Sequence, residues 1–171
     1  MIKIILGDPT YPKSEAFIVP ANTKGIMTQG VLKQVVREGW SIISDEVEQI
    51  MSKNKFVVGD YFVTGPGRLK RRGVKNIYHA IIKRLPSDFT SLTIVSSTLN
   101  KVLKNVIKDK MKSVTICALG IESGGLDTYS VAMITVELCK KFMTEIEIKI
   151  IDDNKNFIND VKDILDKKWK F

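Results

Sequence analysis

Ala16-Phe17-Ile18-Val19-Pro20-Ala21-Asn22, followed beyond a short loop by Gly30-Val31-Leu32, is the stretch whose reading decides the fold. Its first four residues carry no polar alternation, the pattern of a strand buried on both faces. Pro20-Ala21-Asn22 ends it, and Gly30 opens a segment with Val31, Leu32, Val35 and Val36 at helical spacing that closes near Gly39. A strand, a loop and a helix therefore follow one another, and the same unit recurs along the chain.

Upstream, Ile2 to Leu6 is a second apolar run, ended by Gly7-Asp8-Pro9-Thr10 and also read as a buried strand. Downstream, Ile42, Ile43, Val47, Ile50 and Met51 define a second helix, and Phe56 to Val58 and Tyr61 to Val63 flank Gly59-Asp60 as a turn or paired strands. Asn76 to Ile82 is apolar enough for a central strand. Leu92, Val95, Leu99, Val102, Leu103 and Val106 form the clearest helical repeat, with Asp88 or Ser91 as its cap. Val114 to Leu119 is a strand leading through Gly120, Gly124 and Gly125 to a helix carrying Val131, Ile134, Leu138 and Phe142. Ile146 to Ile151 reads as an edge or near-edge strand, and Phe157 to Leu165 as a closing helix. This alternation predicts an α/β fold of three layers with a mostly parallel sheet.

The 171 residues suit one domain, 1–171, and no linker or repeat divides them. The longest apolar runs fall short of the roughly 18 residues a bilayer demands, and the first breaks at Gly7-Asp8 before a signal-peptide pattern develops. A cytoplasmic protein without membrane partners is expected. Cys117 and Cys139 lie in apolar stretches and read as core thiols, and His79 falls in the middle of a buried strand. Neither a cofactor nor a metal site is expected. The net charge of +8 suits an anionic ligand.

In such sheets ligands bind at the carboxyl ends of the strands. The loops there contain Gly7 to Thr10, Asn22 to Val31 and Gly120 to Asp127. Amides at the helix start near Thr28-Gln29-Gly30-Val31 can hold a phosphate, and those around Gly120 and Gly124-Gly125 can hold a second, so that the pair suits a diphosphate.

These residues carry a resemblance. Gly7-Asp8-Pro9-Thr10, then Ala16 to Asn22, then Gly30-Val31 is similar to the macro-domain pattern G-D-I-T, A-I-V-N-A-A-N, G-G-G-V, at matching separations. Gly59-Asp60 through Thr64, Ile77-Tyr78-His79-Ala80, and Val114 to Leu119 with Gly120 and Gly124-Gly125 resemble its later motifs, so that the likeness spans nearly the whole chain. It implies a three-layer α/β/α sandwich with a mixed, mostly parallel central sheet. It also implies a crevice for ADP-ribose, free or attached to a protein, or for a related adenine diphosphate. Asp8 would accept from the adenine amine and Asn22 would contact the distal ribose. Pro9, Thr28, Gln29, Gly30, Val31, Gly120, Ile121, Glu122, Ser123, Gly124 and Gly125 would complete the site.

The chain departs from that pattern in ways that bear on function. Thr28-Gln29 stands where glycines are usual, Ile121-Glu122 puts a carboxylate beside the expected phosphates, and Asp152 replaces an aromatic partner of adenine for which Phe157 is a candidate substitute. Members that remove ADP-ribose pair the asparagine with an acid after the first glycine turn, here Leu32, or use a lysine nucleophile; neither device is legible. The reading favours a binding module, with a hydrolase of ADP-ribosyl or O-acetyl-ADP-ribose groups acting through Asn22 and a bound water as the alternative. A third reading, nucleic-acid binding, rests on the basic surface of Arg68, Lys70, Arg71, Arg72, Lys75, Lys83 and Arg84.

Overall fold

The computed structural model describes residues 1–11 and 13–167. Its strands are β1 (Ile2–Leu6), β2 (Ala16–Asn22), β3 (Tyr61–Thr64), β4 (Asn76–Lys83), β5 (Ser113–Ile116) and β6 (Glu147–Asp152). The helices are α1 (Gly30–Gly39), α2 (Ser41–Lys53), α3 (Leu92–Lys108), α4 (Thr128–Phe142) and α5 (Lys155–Lys167). One six-stranded sheet runs in the order β1-β6-β5-β2-β4-β3, and only β3 is antiparallel to its neighbour. The helices α1 and α2 pack together and against β2 and β3, while α3, α4 and α5 pack in series. The result is a three-layer α/β/α sandwich with a mixed, mostly parallel sheet.

Burial explains the order. Phe17, Ile18 and Val19 of β2 and Ile77, Tyr78, Ala80 and Ile81 of β4 are fully buried, as strands covered by helices on both faces must be. The apolar run at Ile2 to Leu6 behaves otherwise: β1 is an edge strand, with Ile5 42% and Leu6 51% exposed. β6 takes the near-edge position between β1 and β5. Of the two segments flanking Gly59-Asp60, only the second is a strand; the first ends in a turn closed by Asp60 N donating to Val57 O at 3.1 Å. Ser91, and not Asp88, caps α3, its side chain accepting from Ile94 N at 3.2 Å.

Two buried ring side chains of β4 find polar partners, although His79 Nδ1 has none among the described residues. Tyr78 Oη donates to Asp109 Oδ2 at 2.7 Å, and burial raises the phenol pKa. His79 bonds Thr64 Oγ1 through Nε2 at 2.9 Å, stacks on Phe62 with centroids 4.4 Å apart, and is held neutral by desolvation, its pKa lowered to about 3. Cys117 and Cys139 are both buried, and desolvation pushes both thiols up.

Candidate functional site

The carboxyl ends of β2, β4 and β5 open onto one crevice. The pairing of β2 with β4 shifts register after Ala21, so that Asn22 lies opposite Lys83. The Asn22 side chain folds the next loop on itself: Oδ1 accepts from Lys24 N and Ile26 N, both at 3.1 Å, and Nδ2 donates to Ile26 O at 2.9 Å. The second Nδ2 proton has no acceptor among the described residues. Asp8 is also engaged locally, Oδ1 accepting from Thr10 N at 2.8 Å and Thr10 Oγ1 at 2.6 Å, while Oδ2 has no partner among the described residues.

Two sets of main-chain donors meet the crevice. Gln29, extended at φ −133° and ψ 158°, precedes α1 and gives it no side-chain cap. The first helical bond is made by Lys33 N to Gln29 O at 3.2 Å, which leaves the amides of Gly30, Val31 and Leu32 with the partial positive charge of a helix start. Across the crevice the loop after β5 turns at Gly120, with φ 85°, and Gly125, with φ 78°. Its inner bonds run from Gly124 N to Ile121 O, Gly125 N to Glu122 O and Leu126 N to Gly120 O, and the amides of Ile121, Glu122 and Ser123 remain free among the described residues. Gly120 is required twice, by its φ and because a Cβ there would stand 2.9 Å from Leu126 Cδ1 and Thr90 Cγ2.

The two loops converge: a Cβ built on Gly30 would lie 3.7 Å from Glu122 Oε2. The Glu122 carboxylate thus points across the slot between the loops rather than away from it. Its backbone is left-handed, φ 48°, a conformation that a glycine would take more readily. The free volume is about 200 Å³, small beside the roughly 300–1,000 Å³ of ordinary ligand sites. Glu122 is among the side chains that narrow it.

Of the residues expected at the site, Pro9, Asn22, Gln29, Gly30, Val31, Gly120, Ile121, Glu122, Ser123 and Gly124 line this crevice. Asp8, Thr28 and Gly125 are outside its lining; each adjoins a lining residue, and Gly125 packs under the Phe89 ring. Phe157 is fully buried in the core and offers no face to a ligand, whereas Asp152 lines the crevice. Both Asp152 oxygens accept from main-chain amides, Oδ2 from Ala118 at 2.9 Å and Oδ1 from Asn154 at 2.8 Å, while burial raises its pKa.

Lys83 differs most from expectation. Assigned to the basic surface by its sequence neighbours, it is instead 9% exposed and lines the crevice. Nζ donates to Pro86 O and Ser123 Oγ, both at 2.7 Å, and desolvation lowers its pKa. The overlooked signal was its place at the carboxyl end of an otherwise apolar interior strand, where side chains reach a ligand crevice. Gln34, one turn beyond Gly30, also lines the crevice, and its Oε1 is buried without a partner among the described residues.

An α/β/α sandwich with paired glycine turns at the strand ends defines a class of phosphate-cradling folds. The model for the Macro domain matches residues 18–135, and the chain belongs to the macro domain family. It is 29% identical over 151 residues to an uncharacterised protein of Aquifex aeolicus, spanning 88% of this chain and 87% of that one. The fold is similar to the macrodomain of Mycobacterium tuberculosis DarG at TM-score 0.78 and 23% identity, covering 88% of this chain and 97% of that one. It is also similar to the Trypanosoma brucei macrodomain in complex with ADP-ribose, at TM-score 0.81 and 14% identity over 96% of this chain and 68% of that one.

Proposed function

We propose that the crevice binds ADP-ribose, free or attached to a protein, or a closely related adenine diphosphate. One observation carries this reading: the free amides at Gly30 to Leu32 and at Ile121 to Ser123 belong to turns that approach within a side chain's reach of each other. Two such donor sets match the two phosphoryl groups of a diphosphate better than a single phosphate. Family membership and the ADP-ribose bound by the Trypanosoma brucei macrodomain support the same ligand class. In this reading Asp8 Oδ2 accepts from the adenine amine and the remaining Asn22 N–H meets the distal ribose. Calorimetry with ADP-ribose, ADP and AMP tests it: affinity should fall in that order, and no heat at millimolar ADP-ribose would remove the reading.

A second reading, hydrolysis of ADP-ribosyl groups, is favoured by Lys83. Desolvation lowers the pKa of Lys83 beside Asn22, so that its neutral amine is a candidate nucleophile, or its ammonium a candidate acid, at the distal ribose. Release of ADP-ribose from a modified protein should then be lost in Lys83→Ala and in Asn22→Ala while ADP-ribose still binds. Release that persists in both variants would remove this mechanism, and no release by the wild type leaves a binding module.

A further inference from the structure

At the far end of α1 from the crevice, Trp40 stands in an unfavourable conformation with its ring in solvent. Its backbone, at φ 74° and ψ 169°, occupies a region that is essentially glycine's own. Its side chain is 54% exposed and supplies no cap hydrogen bond to α2. A glycine would join α1 to α2 without strain, so the indole is not there to close the turn.

The indole does have a partner. The Arg68 guanidinium lies 3.1 Å from the ring centroid, forming a cation–π pair. Trp40, Ile42, Gly67, Arg68, Lys70 and Arg71 line one shallow surface depression. Neighbouring cations are neutralised, Arg37 and Arg72 by Glu38 and Lys75 by Glu15. Arg68, Lys70 and Arg71 are exposed and have no carboxylate partner among the described residues. A flat aromatic platform thus sits among three uncompensated positive charges on a chain of net charge +8.

We propose that this depression binds single-stranded nucleic acid, one base stacking on the Trp40 and Arg68 planes and adjacent phosphates meeting Lys70 and Arg71. Both planes accept any base, since every base has a π-face, and the cations add a sequence-independent term that salt weakens. A duplex keeps its bases stacked internally and cannot offer one to the platform. Two exposed apolar side chains, Trp40 and Ile42, are too little for a membrane-surface helix, which needs a continuous apolar face. The ten residues of α1 put the platform about 15 Å from the crevice. A ligand there and a strand here bind independently, so the inference does not rest on the ADP-ribose reading.

Fluorescence anisotropy with labelled 20-residue oligothymidine and oligouridine tests it, alongside the matching duplex and anionic phosphatidylglycerol vesicles. Trp40→Gly should raise Tm by relieving the backbone and weaken single-strand binding about 10-fold. The triple reversal Arg68→Glu, Lys70→Glu and Arg71→Glu should remove binding, and saturating ADP-ribose should leave the wild type unaffected. Wild-type affinity in Trp40→Gly, equal affinity for the duplex, displacement by ADP-ribose, or attachment to vesicles in place of oligonucleotides would each overturn the proposal.

Discussion

Removing the Glu122 charge should strengthen ADP-ribose binding. The carboxylate reaches across the slot to within 3.7 Å of a Cβ position on Gly30, between the two sets of free amides. A diphosphate with two negative charges centred about 6 Å from it, at the effective dielectric of about 40–80 that suits an exposed side chain, is repelled by about 1–3 kcal/mol. That repulsion corresponds to a factor of about 5 to 150 in Kd. Glu122→Gln removes the charge and keeps the shape, so its gain isolates the electrostatic effect. Glu122→Gly also relieves the left-handed backbone at φ 48° and widens the slot, and should gain at least as much while raising Tm. Calorimetry at low and high salt separates the contributions, because the Glu122→Gln advantage shrinks as ions screen the slot. Both variants binding no more tightly than wild type would refute the electrostatic reasoning and point to a carboxylate that accepts from the ligand.

Three further outcomes are expected. Asp8→Asn should weaken ADP-ribose binding about 5- to 30-fold by spoiling an acceptor for the adenine amine, and calorimetry showing unchanged affinity would detach Asp8 from the site. His79 is neutral in the fold with a pKa lowered to about 3, whereas the unfolded chain protonates it near pH 6.5. Stability is therefore complete above pH 6.5 and declines as pH falls toward 3, by about 2 kcal/mol at pH 5; urea titrations should show this slope, and His79→Gln should flatten it. Gly120→Ala forces a Cβ to 2.9 Å from Leu126 and Thr90 at φ 85° and should lower stability by about 2–3 kcal/mol. A thermal scan showing wild-type Tm would contradict that geometry.

The centre of the sheet was legible because β2 and β4 are almost wholly apolar. Ala16 to Val19 is apolar throughout, and Asn76 to Ile82 is apolar but for Asn76 and His79, the pattern of a doubly covered strand. Ile2 to Leu6 looks the same in sequence yet lies at the edge, since the position of a strand is set by its pairing partners and not by its own composition. The site was legible where it depends on main chain, as at Gly30 and Gly120, because glycine at a strand-to-helix turn carries a backbone meaning. It was illegible where side-chain direction decides. Lys83, beside Arg84 in sequence, turns inward, while Arg84 stays exposed.

The sequence by itself determined the alternation of strands and helices, the core placement of the histidine and thiols, and the glycine turns where amides are left free, because each follows from local periodicity or a single residue's backbone freedom. Only the tertiary structure decided that Glu122 points at Gly30, that Lys83 stands beside Asn22, and that Arg68 stacks on Trp40. These pairs are distant along the chain, and their geometry comes from strand order and helix packing, which no local stretch of residues encodes.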